Sequence, residues 1–265
     1  MALLEDQFAT SQGHWYRPDG SAAYRIVGAN GKERNTTLAD ARKLALLPSV
    51  TTILRQEAKP QLENWKVQQA MLAVLTLPRL PGESIDDFMP RALRDSREQA
   101  YKAAEKGTFI HGLLEERIRR GSPQVKERAS DAAIIDPVIA WLDVNFGGYV
   151  WEPERSFASE HGFGGKLDLH GFKSGEPGEF DVVIDFKVKA GITPDKKLAY
   201  DEHATQLAAY SYGLGRPWAR CLNLFIDSET PGVIVPIEWP KVDIEDGWKA
   251  FSHLLGLWKV RKGIA

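Results

Sequence analysis

The sequence predicts an α/β protein whose first half is mainly helical. Up to about residue 146, apolar residues recur at helical spacing. After Gly147 and Gly148 the pattern changes to short apolar runs separated by turn residues, with two further helices among them. This pattern is typical of a sheet covered by helices. The 265 residues, of which 43% are hydrophobic and 26% charged, form one large domain or one domain with an extension.

The composition excludes several classes of protein. A single cysteine, Cys221, excludes a disulfide framework, a four-cysteine zinc site and a four-cysteine iron–sulfur cluster, and it suits a reducing compartment. No apolar run is long enough for a transmembrane helix, and residues 1–10 lack the basic start of a secretory signal, so we expect a cytoplasmic protein. The net charge of -2 gives no overall sign of nucleic-acid binding, although an acidic metal site can cancel a basic groove.

The N-terminal part predicts short elements followed by long helices. The short elements are a hairpin at 14–27, a polar loop at 28–37, a helix at 38–47 and a short helix reaching about residue 55. Pro48 ends the first of these helices, and Ser49 or Thr51 caps the second. Three longer helices are predicted at 60–77, 84–120 and 130–146, with a break expected at Gly107.

The C-terminal part predicts alternating strands and helices. Strands are expected at 149–158, 166–172, 180–188, 219–226 and 233–237, and helices at 197–214 and 242–261. The run from Val182 to Phe186 is nearly continuous in apolar residues, so this strand is expected to be buried on both faces.

Asp185 and Lys187 are the first candidate functional residues. Residues two apart on a strand point to the same face, which places a carboxylate beside an ammonium group on a buried strand. A carboxylate there binds hard cations, and a neighbouring lysine orients water. An isolated match of this kind is usually a surface ion pair. Asp168 lies on the preceding strand, and a hairpin would bring it to Asp185. Two such carboxylates repel each other unless a cation neutralises them, whereas the alternative is that Asp168 faces solvent.

Two pairs of residues four apart share a helix face. His111 and Glu115 form the first pair, and either side chain can bind a metal; alternatively, His111 caps a helix break or packs in the core. Gln206 and Tyr210 form the second pair on the helix at 197–214. They suit contacts with a lysine or a phosphate, or alternatively form a satisfied buried polar pair.

Basic residues are concentrated next to His111. Segment 91–128, which includes Arg117, contains ten basic and six acidic residues, and it predicts either one wall of a DNA groove or a solvated helix face. Most of the eight tryptophans are expected in the core, although tryptophan also stacks on single-stranded bases.

These signals together resemble the RecB-like branch of the PD-(D/E)XK nuclease superfamily. The shared order is a helix histidine, a Gly-x-x-Asp strand, an Asp-x-Lys strand and a helix with Gln-x-x-x-Tyr, carried here by His111, Gly165 to Asp168, Asp185 to Lys187, and Gln206 to Tyr210. The resemblance covers about residues 105–226. Glu154 on the first strand matches an acidic residue of many relatives in this branch. The segment Pro48 to Leu54 resembles an N-terminal segment of its phage-encoded and mitochondrial exonucleases, and the closest resemblance is to stand-alone exonucleases of that type. The four-cysteine cluster of some relatives is missing.

The resemblance implies a fold and a set of residue roles. The fold is a restriction-endonuclease-like core of helix, three strands, helix and strand with a mixed central sheet at 105–265, and a helical DNA channel or arch at 1–104. One or two Mg²⁺ or Mn²⁺ ions would be held by Asp168, Asp185, the Phe186 carbonyl and His111, with no iron–sulfur cluster. Lys187 would position the attacking water and Gln206 would anchor Lys187 or a phosphate. The outer residues would be Glu154 and Glu115, and the DNA contacts Ser49, Thr51, Arg117 and Tyr210.

The implied function is a metal-dependent DNA exonuclease of recombination, repair or phage DNA processing. Its partners would be single- or double-stranded DNA with a free end and a single-strand annealing or binding protein, with no membrane. The setting would be a bacterial or phage-infected cytoplasm rather than a mitochondrion. The alternatives are a structure-specific endonuclease or nickase of the same fold, a non-cleaving DNA-binding module, and an unrelated hydrolase whose motif order is coincidental.

Overall fold

A computed structural model describes residues 13–120, 128–175 and 180–264. The helices are α1 Leu38–Leu44, α2 Val50–Leu54, α3 Pro60–Thr76, α4 Ile85–Arg120, α5 Ala129–Asn145, α6 Asp201–Gly213 and α7 Lys241–Lys262. The strands are β1 Trp15–Tyr16, β2 Arg25–Val27, β3 Glu33–Asn35, β4 Leu47–Pro48, β5 Tyr149–Ser159, β6 Phe163–Lys173, β7 Val182–Lys189, β8 Arg220–Asp227 and β9 Ile234–Glu238. No helix within these ranges is long and apolar enough to cross a membrane.

A five-stranded mixed sheet forms the centre of the C-terminal part. Its strand order is β5-β6-β7-β8-β9, with β7 and β8 parallel and the other pairs antiparallel. Helix α6 connects the two parallel strands, because parallel neighbours need a crossover connection. The mixed α/β class predicted from the sequence is confirmed.

Hydrophobic clusters cover both faces of this sheet. On one face, Val183 packs in a cluster with Leu207 of α6 and Phe251 of α7. On the other face, Ile184 packs in a cluster with Leu114 of α4 and Val138 of α5. Successive residues of β7 therefore enter opposite cores, which explains the apolar run from Val182 and confirms that the strand is buried on both faces.

The chain divides into two compact units. One unit comprises residues up to Gln56 together with Ile110–Ala265, and the other is Glu57–Phe109. Described residues before Gln56 therefore belong to the unit that contains the sheet. Trp15, Val50 and Ile53 are buried in the same cluster as the helices α6 and α7.

Three local predictions are wrong. The predicted hairpin at 14–27 is reduced to one bridge between Tyr16 and Ala22, since β1 pairs with β4 and β2 pairs with β3. The predicted loop at 28–37 therefore contains a strand. Helix α4 continues through Gly107 without a break.

Candidate active site

The site forms where two strands of the sheet diverge. Strands β6 and β7 pair only through Leu169–Gly171 and Val182–Ile184. Immediately beyond, Asp168 Oδ2 accepts a hydrogen bond from the backbone N–H of Phe186 at 2.8 Å. The Asp168 side chain thus takes the place of the missing ladder partner, and it holds Asp168 beside Asp185 as the sequence predicted.

A chain of hydrogen bonds links β7 to α6. The Lys187 ammonium lies 2.8 Å from Asp185 Oδ2 and donates to Gln206 Oε1 at 3.0 Å. The Gln206 amide in turn donates to the Tyr210 hydroxyl at 3.0 Å. Ala208 and Ala209 are fully buried, so small side chains let α6 lie close to the sheet. The structure therefore brings both predicted pairs, Asp185–Lys187 and Gln206–Tyr210, into one network.

Two residues of this network, Asn223 and Trp239, were not predicted from the sequence. Asn223 lies opposite Asp185 on the parallel strand β8, and its amide donates to Asp185 Oδ2 at 2.7 Å. The Asn223 carbonyl accepts from Trp239 Nε1 at 2.8 Å. The available signal was the polar residue Asn223 within the run from Cys221 to Ile226, which is otherwise apolar. A buried polar group of this kind requires partners.

His111 reaches the same carboxylate pair from helix α4. Its Nδ1 lies 3.5 Å from Asp168 Oδ1. Burial lowers the pKa of His111, but the hydrogen bond and charge of Asp168 outweigh burial and raise it. Burial raises the pKa of Asp168, yet His111 and the other positive partners lower it overall.

Asp185 behaves in the opposite way. It is buried, and this burial together with the charge of Asp168 raises its pKa, although Lys187 opposes the effect. Two carboxylates with opposite pKa shifts in one site are typical of functional sites, because one of them is destabilised as an anion and favours a cation beside it.

Glu154 faces Asp168 across the β5–β6 pair. The ladder joins Pro153 to Leu169 and Arg155 to Leu167, but it is interrupted between them, where Glu154 has a φ of +53°. Glu154 forms an ion pair with Lys166, a residue that the sequence analysis did not select. Burial raises the pKa of Glu154, and the charges of Asp168 and Glu115 add to the effect. The Lys166 side chain is 43% exposed, so this ion pair is open to solvent on the lysine side. A non-glycine residue with a positive φ is a feature of functional sites.

Gly165 is required by close packing rather than by an unusual backbone angle. A Cβ atom at this position would lie 2.7 Å from two ring atoms of Phe157 and 3.3 Å from Val50. This glycine lets β5 and α2 approach the strand that carries Asp168. The Gly-x-x-Asp pattern therefore has a packing cause in this fold.

The residues predicted to contact DNA differ in their exposure to solvent. Thr51 is exposed, but Ser49 is buried as the cap of α2, accepting from the Thr52 N–H at 3.1 Å. Tyr210 is only 4% exposed, and its hydroxyl accepts the hydrogen bond from the Gln206 amide. Arg117 forms an ion pair with Asp136 at 2.8 Å.

Glu115 does not join the carboxylate pair directly. It forms an ion pair with Arg119 at 2.8 Å, one turn further along α4. Its charge nevertheless contributes to raising the pKa of Glu154. Part of the predicted basic segment, residues 121–127, lies outside the described ranges.

The donor set fits a hard divalent cation that keeps most of its water. Within the described ranges, no group of three or more histidine, cysteine, aspartate or glutamate side chains could hold a metal ion. Asp168 and Asp185 supply two carboxylates, and Mg²⁺ is usually bound by one or two carboxylates together with waters and substrate phosphates. The residues therefore suit Mg²⁺ or Mn²⁺ better than zinc, which is usually held by three or four protein side chains.

Comparison with known proteins gives distant structural matches. No family model and no curated protein matches the chain. The solved structure of SSO0001 matches with a TM-score of 0.30 and 16% identity, covering 74% of this chain and 87% of that one. A protein of Eubacterium rectale named "Putative exonuclease" matches with a TM-score of 0.39 and 15% identity, covering 62% of this chain and 68% of that one. Both TM-scores are low, so these matches carry no conclusion about function.

Proposed function

We propose that the protein is a metal-dependent nuclease that hydrolyses DNA phosphodiester bonds from an end. One observation carries the proposal: Asp168 and Asp185 lie together where β6 and β7 diverge, with Lys187 bonded to Asp185. The sequence resemblance to RecB-like PD-(D/E)XK nucleases supports it, and the core would then be the restriction-endonuclease-like one.

The residues of the site would divide the work. When bound by Asp168, Asp185 and the Phe186 carbonyl, Mg²⁺ or Mn²⁺ supplies charge neutralisation at the phosphate and an activated water. Lys187, held between Asp185 and Gln206, would orient the attacking water. His111 would fix the orientation of Asp168, and Glu154 would be an outer partner.

A cleavage assay with matched variants tests the proposal. End-labelled linear DNA and closed circular DNA are incubated with Mg²⁺, Mn²⁺ or EDTA, using wild type, Asp185→Asn and Lys187→Met. Asp195→Asn is the control, because Asp195 belongs to a second acid-x-Lys match but is exposed. We expect metal-dependent loss of linear DNA in wild type and the control, and a loss of activity of at least about a hundredfold in the two site variants.

The outcomes separate the alternatives. Intact circles support an exonuclease, whose substrate ends arise in recombination, repair and phage DNA processing, whereas cleaved circles indicate an endonuclease or nickase. Equal cleavage by wild type and Asp185→Asn would refute the assigned site. DNA binding without cleavage under any metal would indicate a binding module, and this binding should weaken steeply with added salt.

A further inference from the structure

Exposed apolar side chains are concentrated in one small part of the chain. Of the twenty large hydrophobic residues that are exposed among the described residues, twelve lie in the unit Glu57–Phe109. This unit is about a fifth of the chain. We call it the helical hairpin, since it consists of α3, its connection and α4 up to residue 109. Contiguous exposed apolar surface on this scale marks an interaction site.

The hairpin has almost no core of its own. Its buried cluster consists of Ala73, Phe88 and Ala92, with Leu77 packed against it. Beside this cluster an open groove of about 370 Å³ runs between the two helices. Its lining includes Val67, Met71, Val74, Leu75, Met89 and Leu93. Met71 is 60% exposed and Leu75 is 79% exposed, so the neighbouring residues of the hairpin leave the groove open.

The spacing of the lining residues fits helix packing. On α3, Val67, Met71 and Val74 are separated by four and three residues, and on α4 Met89 and Leu93 are four apart. This is the spacing of apolar stripes in helix bundles, where two helices pack against two others. Helices α3 and α4 therefore resemble two helices of a four-helix bundle whose other two helices are absent from the hairpin.

The charges of the hairpin favour a partner that is itself neutral. Residues 57–109 contain eight basic and eight acidic side chains. Several of these are already paired within the hairpin, including Arg91 with Glu83 and Lys66 with Glu63. The surface therefore has no net charge to attract a nucleic acid or an acidic peptide, and two copies of it do not repel each other.

We propose that the groove binds the helical hairpin of a second copy of this chain. The two hairpins would be related by a two-fold axis, so that the same stripe is buried on both chains, and together they would form a four-helix arrangement. Leu72, which is 51% exposed beside the groove, extends this apolar surface, and a stable interface of standard size buries roughly 800 Å² on each partner.

The oligomeric state of the full chain tests this proposal. Molar mass is measured by light scattering over a wide range of concentrations for wild type, Met71→Glu and Leu93→Glu. The control is Val260→Glu, because Val260 is 82% exposed on α7, outside the hairpin. We expect wild type and the control to show twice the chain mass of 29.6 kDa, falling on dilution, and both groove variants to show the single-chain mass.

A second experiment covers the case in which the glutamate variants lose helix content by circular dichroism. Met71→Cys keeps an apolar side chain, and a bifunctional maleimide should cross-link it into a dimer, whereas Val260→Cys should not cross-link. The native Cys221 is buried and does not compete for the reagent. A single-chain mass for wild type at every concentration, or a dimer that survives in folded groove variants, would overturn the proposal.

Discussion

Replacing Asn223 by alanine should make local opening of strand β8 more frequent without changing any surface residue. Asn223 is fully buried, and it is the bridge between the Asp185 carboxylate and the Trp239 indole. Alanine removes both hydrogen bonds and offers no replacement. Asp185 keeps Lys187 as a partner, so its charge remains and is less well compensated.

The size of the effect follows from the two lost contacts. A hydrogen bond to a charged group contributes about 1.5–3 kcal/mol, and leaving the partly buried Trp239 N–H unpaired costs about 1 kcal/mol more. We therefore expect Asn223→Ala to lower the free energy of opening β8 by about 3 kcal/mol. Since 1.4 kcal/mol corresponds to a factor of ten, the open state should become about a hundredfold more populated.

The neighbouring thiol provides the assay. Cys221 is two residues from Asn223, and burial raises its pKa to about 12, so it does not react while the strand is closed. The rate of its alkylation in native protein, compared with the rate in urea, measures the free energy of opening. The control is Asn145→Ala, which removes an exposed amide that donates to the Trp141 carbonyl at 2.8 Å, and it should change the rate by less than about threefold.

A small effect would refute this reasoning. If Asn223→Ala changes the Cys221 alkylation rate no more than Asn145→Ala does, the bridge does not stabilise β8 and the Asp185 site does not depend on it. An unchanged rate in urea for all three proteins excludes a direct effect of the substitutions on the thiol.

Two further predictions concern the frame around the site. Asp227 accepts hydrogen bonds from four backbone N–H groups. Burial raises the pKa of Asp227, but these hydrogen bonds lower it overall. The contribution of Asp227 to stability is therefore complete above pH 3.8 and is lost as the pH falls through the lowered pKa. Asp227→Asn should therefore lower the unfolding free energy by about 2 kcal/mol at neutral pH, and urea titrations below pH 3.8 should show the gap closing; a constant gap would contradict this. Gly165→Ala forces a Cβ against Phe157 and should destabilise the protein by about 1–3 kcal/mol. Gly112→Ala in α4 meets nothing within 4 Å and should stabilise the protein by up to about 1 kcal/mol. If the calorimetric unfolding midpoints of both variants move in the same direction, these two expectations are wrong.

The parts of the fold that follow local rules were predictable from the sequence. The apolar run of β7 and the spacings of Asp185 with Lys187 and of Gln206 with Tyr210 depend only on strand and helix periodicity. Gly107 was misread because a glycine costs only about 1 kcal/mol in a helix, which is too little to break one of 36 residues. Strand β2 was predicted as part of the hairpin at 14–27 but with the wrong partner, and its true partner β3 was missed because residues 33–35 are largely exposed and leave no apolar pattern.

Contacts between distant segments were not predictable in the same way. Asn223 meets Asp185 only through the parallel register of β7 and β8, and Lys166 meets Glu154 only because the β5 ladder is interrupted there. Periodicity gives the face on which a side chain lies, but it does not give the register that selects its partner.

Each of the three carboxylates of the site has a basic partner, and a variant that removes one member of a pair leaves the other without it. Glu154 pairs with Lys166, Asp168 with His111, and Asp185 with Lys187. Removing one member of a buried pair leaves an uncompensated charge and costs about 3 kcal/mol, whereas replacing both members is often nearly neutral. Lys187→Met alone should therefore lower the unfolding free energy by about 3 kcal/mol, and Asp185→Asn with Lys187→Met should recover most of this loss while remaining inactive. Urea denaturation of the two single variants and the double variant measures the coupling, and additive losses would show that the pair contributes nothing to the fold.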